Sequence, residues 1–215
     1  MKRQSLFITA AVLLGVVFVV GTLLYTGHKA DTAKALANEA LLNRAHAPVE
    51  GPRSAKVNIV EFLDPACGTC REFYPFVHRL MAAHAGQIRL TVRYAPFHPN
   101  SDQVVKILEA ARKQGKWKEA LETLFATQSS WVRNHSAQPD LVWQQLGGLG
   151  LDLERARQDM NAPDIAQNVA QDIADAQALN VTQTPEFFVN GKPMPSFGYQ
   201  QLVDLVNDAL AAAYR

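Results

Sequence analysis

The sequence predicts an α/β domain with an inserted helical subdomain, preceded by an N-terminal transmembrane helix. Three observations predict it: a strand-helix-strand pattern over residues 56–94, a strand-free helical stretch over about 101–180 with strand character returning after it, and an uncharged apolar run, LFITAAVLLGVVFVVGTLLY, from Leu6 to Tyr25. A chain of 215 residues, 48% hydrophobic and 19% charged, buries enough surface for one domain with an appendage, which argues against disorder. Its 21 basic and 20 acidic residues are spread along the chain, so no basic block marks a nucleic-acid partner.

At ~1.5 Å of helical rise per residue, the apolar run spans the ~30 Å hydrocarbon layer. A cleaved secretory signal carries a shorter apolar region, of ~7–15 residues, followed closely by a small-x-small site. The nearest such site here, Ala35-Leu36-Ala37, lies well past Tyr25. Residues 1–28 are therefore read as an uncleaved membrane anchor, with a cleaved signal and a buried core helix as the alternatives. Lys2 and Arg3 stay cytoplasmic by the positive-inside rule, although Lys29 weakens the asymmetry. The expectation is a single-pass protein of the inner (cytoplasmic) membrane with its domain on the periplasmic or extracytoplasmic side. That compartment is oxidising, and a cysteine pair persists there as a disulfide.

Residues 29–50 are expected to form a juxtamembrane helical linker. Ala33, Leu36, Ala40 and Leu41 recur near helical spacing, which fits a spacer or an oligomerisation stalk. Pro48 and Gly51-Pro52 break the pattern and place the domain at 51–215. In KVNIVEFL, Val57, Ile59 and Leu63 share one parity and Val60 and Phe62 the other, as in a strand covered on both faces. Phe73, Phe76, Val77, Leu80 and Met81 then follow helical spacing. QIRLTVRY alternates, with Ile88, Leu90, Val92 and Tyr94 on one side and Gln87, Arg89, Thr91 and Arg93 on a polar face. This order is a βαβ unit. Trp117, Trp131 and Trp143 are assigned to packing within the helical insertion. Asn134-His135-Ser136 and Asn180-Val181-Thr182 match the glycosylation pattern but carry little weight alone. Strand character returns in PEFFVNGKPMPSF, where Asn190-Gly191 signals a two-residue hairpin, and Leu202, Val203, Leu205, Val206 and Leu210 mark a last helix.

Cys67 and Cys70, in DPACGTCR, are the only cysteines. A zinc half-site needs two further ligands, and His78 and His84, six apart on the following helix, lie about 120° apart around it. An inert staple closes too short a loop to remove much unfolded-chain entropy. A redox pair fits best, because C-x-x-C after a strand and at a helix start within a βαβ pattern is the thioredoxin-like arrangement. Cys67 then sits at a helix N-terminus, where unpaired N–H groups favour a thiolate and make it the attacking sulfur and a good leaving group. Cys70, one turn further in, is the resolving thiol.

VEFLDPACGTCREFYP, YAPFHPNS, ARKQGKWKEALETLFATQ and NVTQTPEFFVNGKP, in this order, resemble the DsbA-like thiol:disulfide oxidoreductases of the thioredoxin superfamily over roughly residues 48–213. The resemblance implies a thioredoxin-like fold interrupted by a helical subdomain, with no organic cofactor and no metal. It implies that Glu61 is a buried acid relaying a proton to or from Cys70. It also implies that Pro185 is a cis-proline opposite the cysteines shaping a groove, that the Thr184 backbone pairs with an extended substrate peptide, and that Pro75 kinks the first helix. The bland alternatives are a solvated carboxylate at Glu61 and a trans surface proline at Pro185.

Gly68-Thr69 stands where the most oxidising members have proline-histidine, Gln183 where many relatives have glycine, and His98 is placed to approach the site or to remain a plain loop histidine. The first two, as redox-tuning positions, leave the direction of electron flow open. The expected partners are substrate proteins with cysteines and an unidentified membrane redox partner, the membrane itself being engaged through residues 6–25. The expected function is therefore an exported oxidoreductase supporting oxidative folding. A disulfide reductase or isomerase and, from another class, a Cu(I)-binding module using the two thiolates are the alternatives.

Overall fold

The structure is a computed structural model that describes Thr22 and residues 39–215. Apart from Thr22, the apolar run 6–25 lies outside the described residues, as does the first part of the expected linker, 29–38. No helix among the described residues is long and apolar enough to cross a membrane.

Five strands form the central sheet: β1 (Val49–Glu50), β2 (Val57–Leu63), β3 (Ile88–Tyr94), β6 (Glu186–Val189) and β7 (Lys192–Pro193), in the order β1-β3-β2-β6-β7. β2 and β3 pair in parallel from Val57↔Ile88 to Leu63↔Tyr94, and the crossover between them is α1 (Gly68–Ala83), which contains Pro75. β6 pairs antiparallel with β2, and Asn190-Gly191 turns it into β7 with both residues at positive φ, as a two-residue hairpin requires. The helical insertion comprises α2 (Ser101–Lys113), α3 (Trp117–Ala126), α4 (Gln128–Trp131), α5 (Pro139–Gln145), α6 (Leu153–Asp159) and α7 (Pro163–Ala178), and α8 (Tyr199–Ala213) closes the domain.

The two parities of β2 face two cores. Val57, Ile59 and Leu63 pack with Phe73 and Val77 of α1, Phe187 and Val189 of β6, Leu202 and Val206 of α8, and the helices α2 to α5. Val60 and Phe62 pack on the other side with Leu42, Ala176 and Phe188. Each such side chain, fully buried, contributes ~1.5–3 kcal/mol of transfer free energy.

The structure differs from the sequence expectation in three places. First, residues 39–50 are packed on the domain rather than standing off it as a linker. Residues 39–42 are helical, Leu42 is buried, and Val49–Glu50 is an edge strand on β3. Second, the polar face of β3 is covered, with Thr91 and Arg93 both buried. Arg93 reaches Asp172 at 2.8 Å and Asp175 at 2.6 Å on α7 and donates to the Leu42 carbonyl, while Arg44 and His46 close on the same two acids. A buried guanidinium is tolerated because two carboxylates and backbone oxygens replace its water. Third, the insertion holds a small hairpin, β4 (Val132–Arg133) with β5 (Ser136–Ala137), turned by Asn134 and His135 at positive φ. Two-residue strands are too short to show a period in sequence.

Candidate functional site

The cysteines lie where β2 ends and α1 begins. Asp64 and Pro65 turn the chain out of the sheet, and the Cys67 N–H donates to the Asp64 carbonyl at 3.0 Å. Cys67 is the residue that caps α1, with extended backbone, and Cys70 lies one turn in. Both are free thiols. Cys70 is fully buried, whereas Cys67 keeps 7% of its surface exposed, so only one sulfur is open to a partner.

The two thiols are driven apart in acidity. The hydrogen bond from the Cys70 thiol is the largest influence on Cys67. Together with Thr184 and the backbone N–H groups of Cys70 and Thr69, it overcomes burial and lowers the Cys67 pKa to about 5. Cys70 moves the other way: burial, then its bond to Cys67, then the nearby Glu61 charge raise its pKa well above that of an ordinary thiol. At neutral pH Cys67 is the thiolate and Cys70 holds its proton.

Glu61 is on β2, opposite Phe187 of β6 and on the parity that faces α1. It has no exposed surface, and neither carboxylate oxygen has a hydrogen-bond partner among the described residues. Burial first, then the charges of Glu50 and Cys67, raise its pKa to about 8. An unpartnered carboxyl survives there because it can stay protonated.

From the other side, the Thr184–Pro185 peptide is cis, and the Thr184 carbonyl is 3.3 Å from the Cys67 sulfur. Pro185 is buried and Thr184 half-buried, so the backbone before the proline borders the accessible face of Cys67. Gln183 is exposed. Gly68 and Thr69 are half-buried, and Gln128 Oε1 lies 4.0 Å from where a Cβ built at Gly68 would stand. The His98 ring is engaged by Asp64 in the turn before Cys67, its Nδ1 2.7 Å from Asp64 Oδ2. His78 is engaged by Glu50 at 3.1 Å and by the Tyr74 carbonyl at 3.0 Å.

Two residues organise the turn that sequence reasoning missed. Asp64, fully buried, accepts from the Ala66 N–H at 2.8 Å and the Ser101 hydroxyl through one oxygen, and from the Phe97 and His98 N–H groups through the other. Gln128, buried at the start of α4, donates from Nε2 to the carbonyls of Pro65 at 2.9 Å and Cys67 at 3.0 Å. An Asp three residues before a predicted helix cap, followed by proline, is a readable turn signal. Nothing in the sequence marks Gln128, which acts across 61 and 63 residues.

A parallel β2–α1–β3 unit with free cysteines at the helix cap, facing a cis-proline, defines a thioredoxin-like protein. Residues 43–208 match the profile of the family described as Thioredoxin, and the chain belongs to that family. A thioredoxin-like oxidoreductase from Silicibacter pomeroyi is 33% identical, with a TM-score of 0.70, over 81% of this chain and 98% of that one. The oxidoreductase DsbA from Xylella fastidiosa shares the fold at a TM-score of 0.62 and 23% identity, over 75% of this chain and 88% of that one. Among curated proteins, a Na(+)/H(+) antiporter NhaA from Herminiimonas arsenicoxydans is 31% identical over 144 residues, or 67% of this chain. The chain spans only 22% of that relative's length.

Proposed function

We propose that the protein is a membrane-tethered, exported thiol:disulfide oxidoreductase that exchanges disulfides with protein cysteines through Cys67 and Cys70, in support of oxidative folding. The observation that carries this reading is the division of labour between the sulfurs: one acidic thiol at a helix cap that keeps a sliver of accessible surface, and one fully buried thiol above a protonatable acid.

In the oxidised protein a substrate thiolate attacks the Cys67 sulfur and the Cys67–Cys70 bond breaks. Cys70 leaves as a thiolate and takes the Glu61 proton. A second substrate thiolate then attacks the substrate sulfur of the mixed disulfide and expels Cys67, whose low pKa makes it a good leaving group. Two electrons pass from two substrate thiols to the cysteine pair, and Glu61 regains a proton from solvent. The Thr184 backbone is positioned to pair with an extended peptide across Cys67, and Phe97, half exposed on the loop held by Asp64, offers it apolar surface. A membrane protein in the same bilayer would restore the disulfide, with the domain on the periplasmic side of the inner membrane.

The acidic Cys67 favours the oxidising direction, since a stabilised thiolate stabilises the reduced form. Equilibration with glutathione tests both competence and direction. A potential near ~−120 mV supports the oxidant, and one near ~−270 mV supports a reductase or isomerase instead. Undiminished exchange by Cys67→Ser would refute the mechanism, and one tightly held copper per reduced chain with negligible exchange would make the pair a Cu(I) site.

A further inference from the structure

We propose that Gln128 is a positioning residue for Cys67, through which the helical insertion sets the reactivity of the cysteine pair. The inference rests on the oxidoreductase reading above and adds to it a regulator outside the thioredoxin core.

The side chain is placed for this and for little else. Gln128 opens α4, whose backbone is pinned by the Thr127 hydroxyl on the Thr123 carbonyl and by the buried Trp131 indole on the Leu124 carbonyl. From that fixed base its amide nitrogen bridges the carbonyls on either side of Ala66, those of Pro65 and Cys67. Burying and immobilising a glutamine costs desolvation and up to ~2 kcal/mol of side-chain entropy, which an apolar residue filling the same space would largely avoid. What an apolar residue lacks is the pair of N–H donors, and both act on the turn that presents Cys67.

Two physical effects follow. The Cys67 carbonyl also accepts the Arg71 N–H, so it is the first acceptor of α1, and its orientation helps fix where the Thr69 and Cys70 N–H groups point. Those groups stabilise the thiolate. A donor on the same carbonyl also offsets its partial negative charge, carried by the residue that must become an anion. Gln128 Oε1 lies 4.0 Å from where a Cβ on Gly68 would stand, so a Cβ placed there comes into ordinary van der Waals contact with Gln128. The residue between the cysteines and the insertion therefore act together.

The test uses the full chain with Gln128→Met, equal in length but without donors, and Gln128→Glu, which puts a charge in place of the amide. Thiolate absorbance near 240 nm followed over pH reads Cys67, and glutathione equilibration reads the pair. The Cys67 midpoint is expected to rise by about one unit in Gln128→Met and further in Gln128→Glu, with the equilibrium moved about tenfold toward the disulfide. A lower melting temperature with the Cys67 midpoint and the equilibrium unchanged would overturn the proposal, because packing alone would explain it. Should neither variant fold, the wild-type side-chain amide resonances decide: those of Gln128 should shift with the Cys67 titration, and a flat trace refutes the coupling. Adding Gly68→Ala in both backgrounds should give non-additive shifts, and strict additivity counts against it. Because the midpoint is read without a substrate, failure of the oxidoreductase reading and failure of this proposal are separable.

Discussion

Glu61 and Arg93 sit almost side by side in the sheet, Glu61 opposite Val92 and Arg93 opposite Phe62, yet they face opposite cores and solve the problem of a buried charge in opposite ways. Arg93 is enclosed by two carboxylates and backbone oxygens. Glu61 has no partner at either oxygen and avoids ionising. The saturated site ties the start of the domain to α7 and β3. The unsaturated one lies beneath the cysteine pair, where, on the proposed function, a group able to hold or release a proton is useful and a permanently paired one would not be. Full pairing marks structure, and incomplete pairing marks chemistry.

The largest expected effect separates the two faces outright. Cys67→Ser should lower exchange with a reduced peptide by at least ~10³-fold while leaving thermal stability of the reduced protein at pH 5, where the Cys67 thiolate contributes little, nearly unchanged, whereas Asp172→Ala should do the reverse. Removing Asp172 leaves Arg93 and His46 short of an anion, at a cost of ~3–5 kcal/mol in denaturant unfolding, with the Cys67 titration midpoint in place. If Asp172→Ala moved that midpoint, the two faces would not be independent.

Glu61→Gln comes next and should have a pH signature. The Glu61 pKa is raised on folding, so its contribution to stability is full below the ordinary value of 4.5 and is lost as pH rises toward about 8. The variant should therefore match the wild type near pH 4 and exceed it by several kcal/mol at pH 8, while disulfide exchange slows by ~10-fold or more. Equal stability curves at both pH values would mean that Glu61 is not the unpaired acid described here.

Cys67 has the opposite sign. Its folded pKa is depressed from 9.0 to about 5, so the thiolate contributes stability that is present above pH 9 and lost as pH falls through about 5. The stability of the reduced protein relative to the oxidised one should shrink across that window. The smallest effect belongs to Arg44→Ala. Arg44 is a partly exposed second cation on Asp175, and its loss should cost about 1 kcal/mol because Arg93 remains in place.

What was legible in the sequence followed short-range rules. The two parities of β2, the helical spacing from Phe73 to Met81 and the Asn190-Gly191 turn need only neighbours, and the structure carries each of them. The reading of β3 stopped short because alternation shows which residues are polar and not what covers them. Thr91 and Arg93 are buried by α7 and by residues 39–46, far away in the chain. The edge strand Val49–Glu50 was hidden for the same reason, its two residues being defined by hydrogen bonds to β3 rather than by any period of their own.

For the site, the C-x-x-C spacing at a strand-to-helix junction by itself determined that Cys67 caps a helix and that Cys70 lies one turn behind it, because helix geometry leaves no other arrangement. Tertiary structure alone decided how far apart the two thiols are driven, since burial of Cys70, the bare Glu61, the Thr184–Pro185 segment and the Gln128 brace come from four separate parts of the fold. A pKa responds to the field and the water at one point in space, and neither is written in the residues adjacent in sequence.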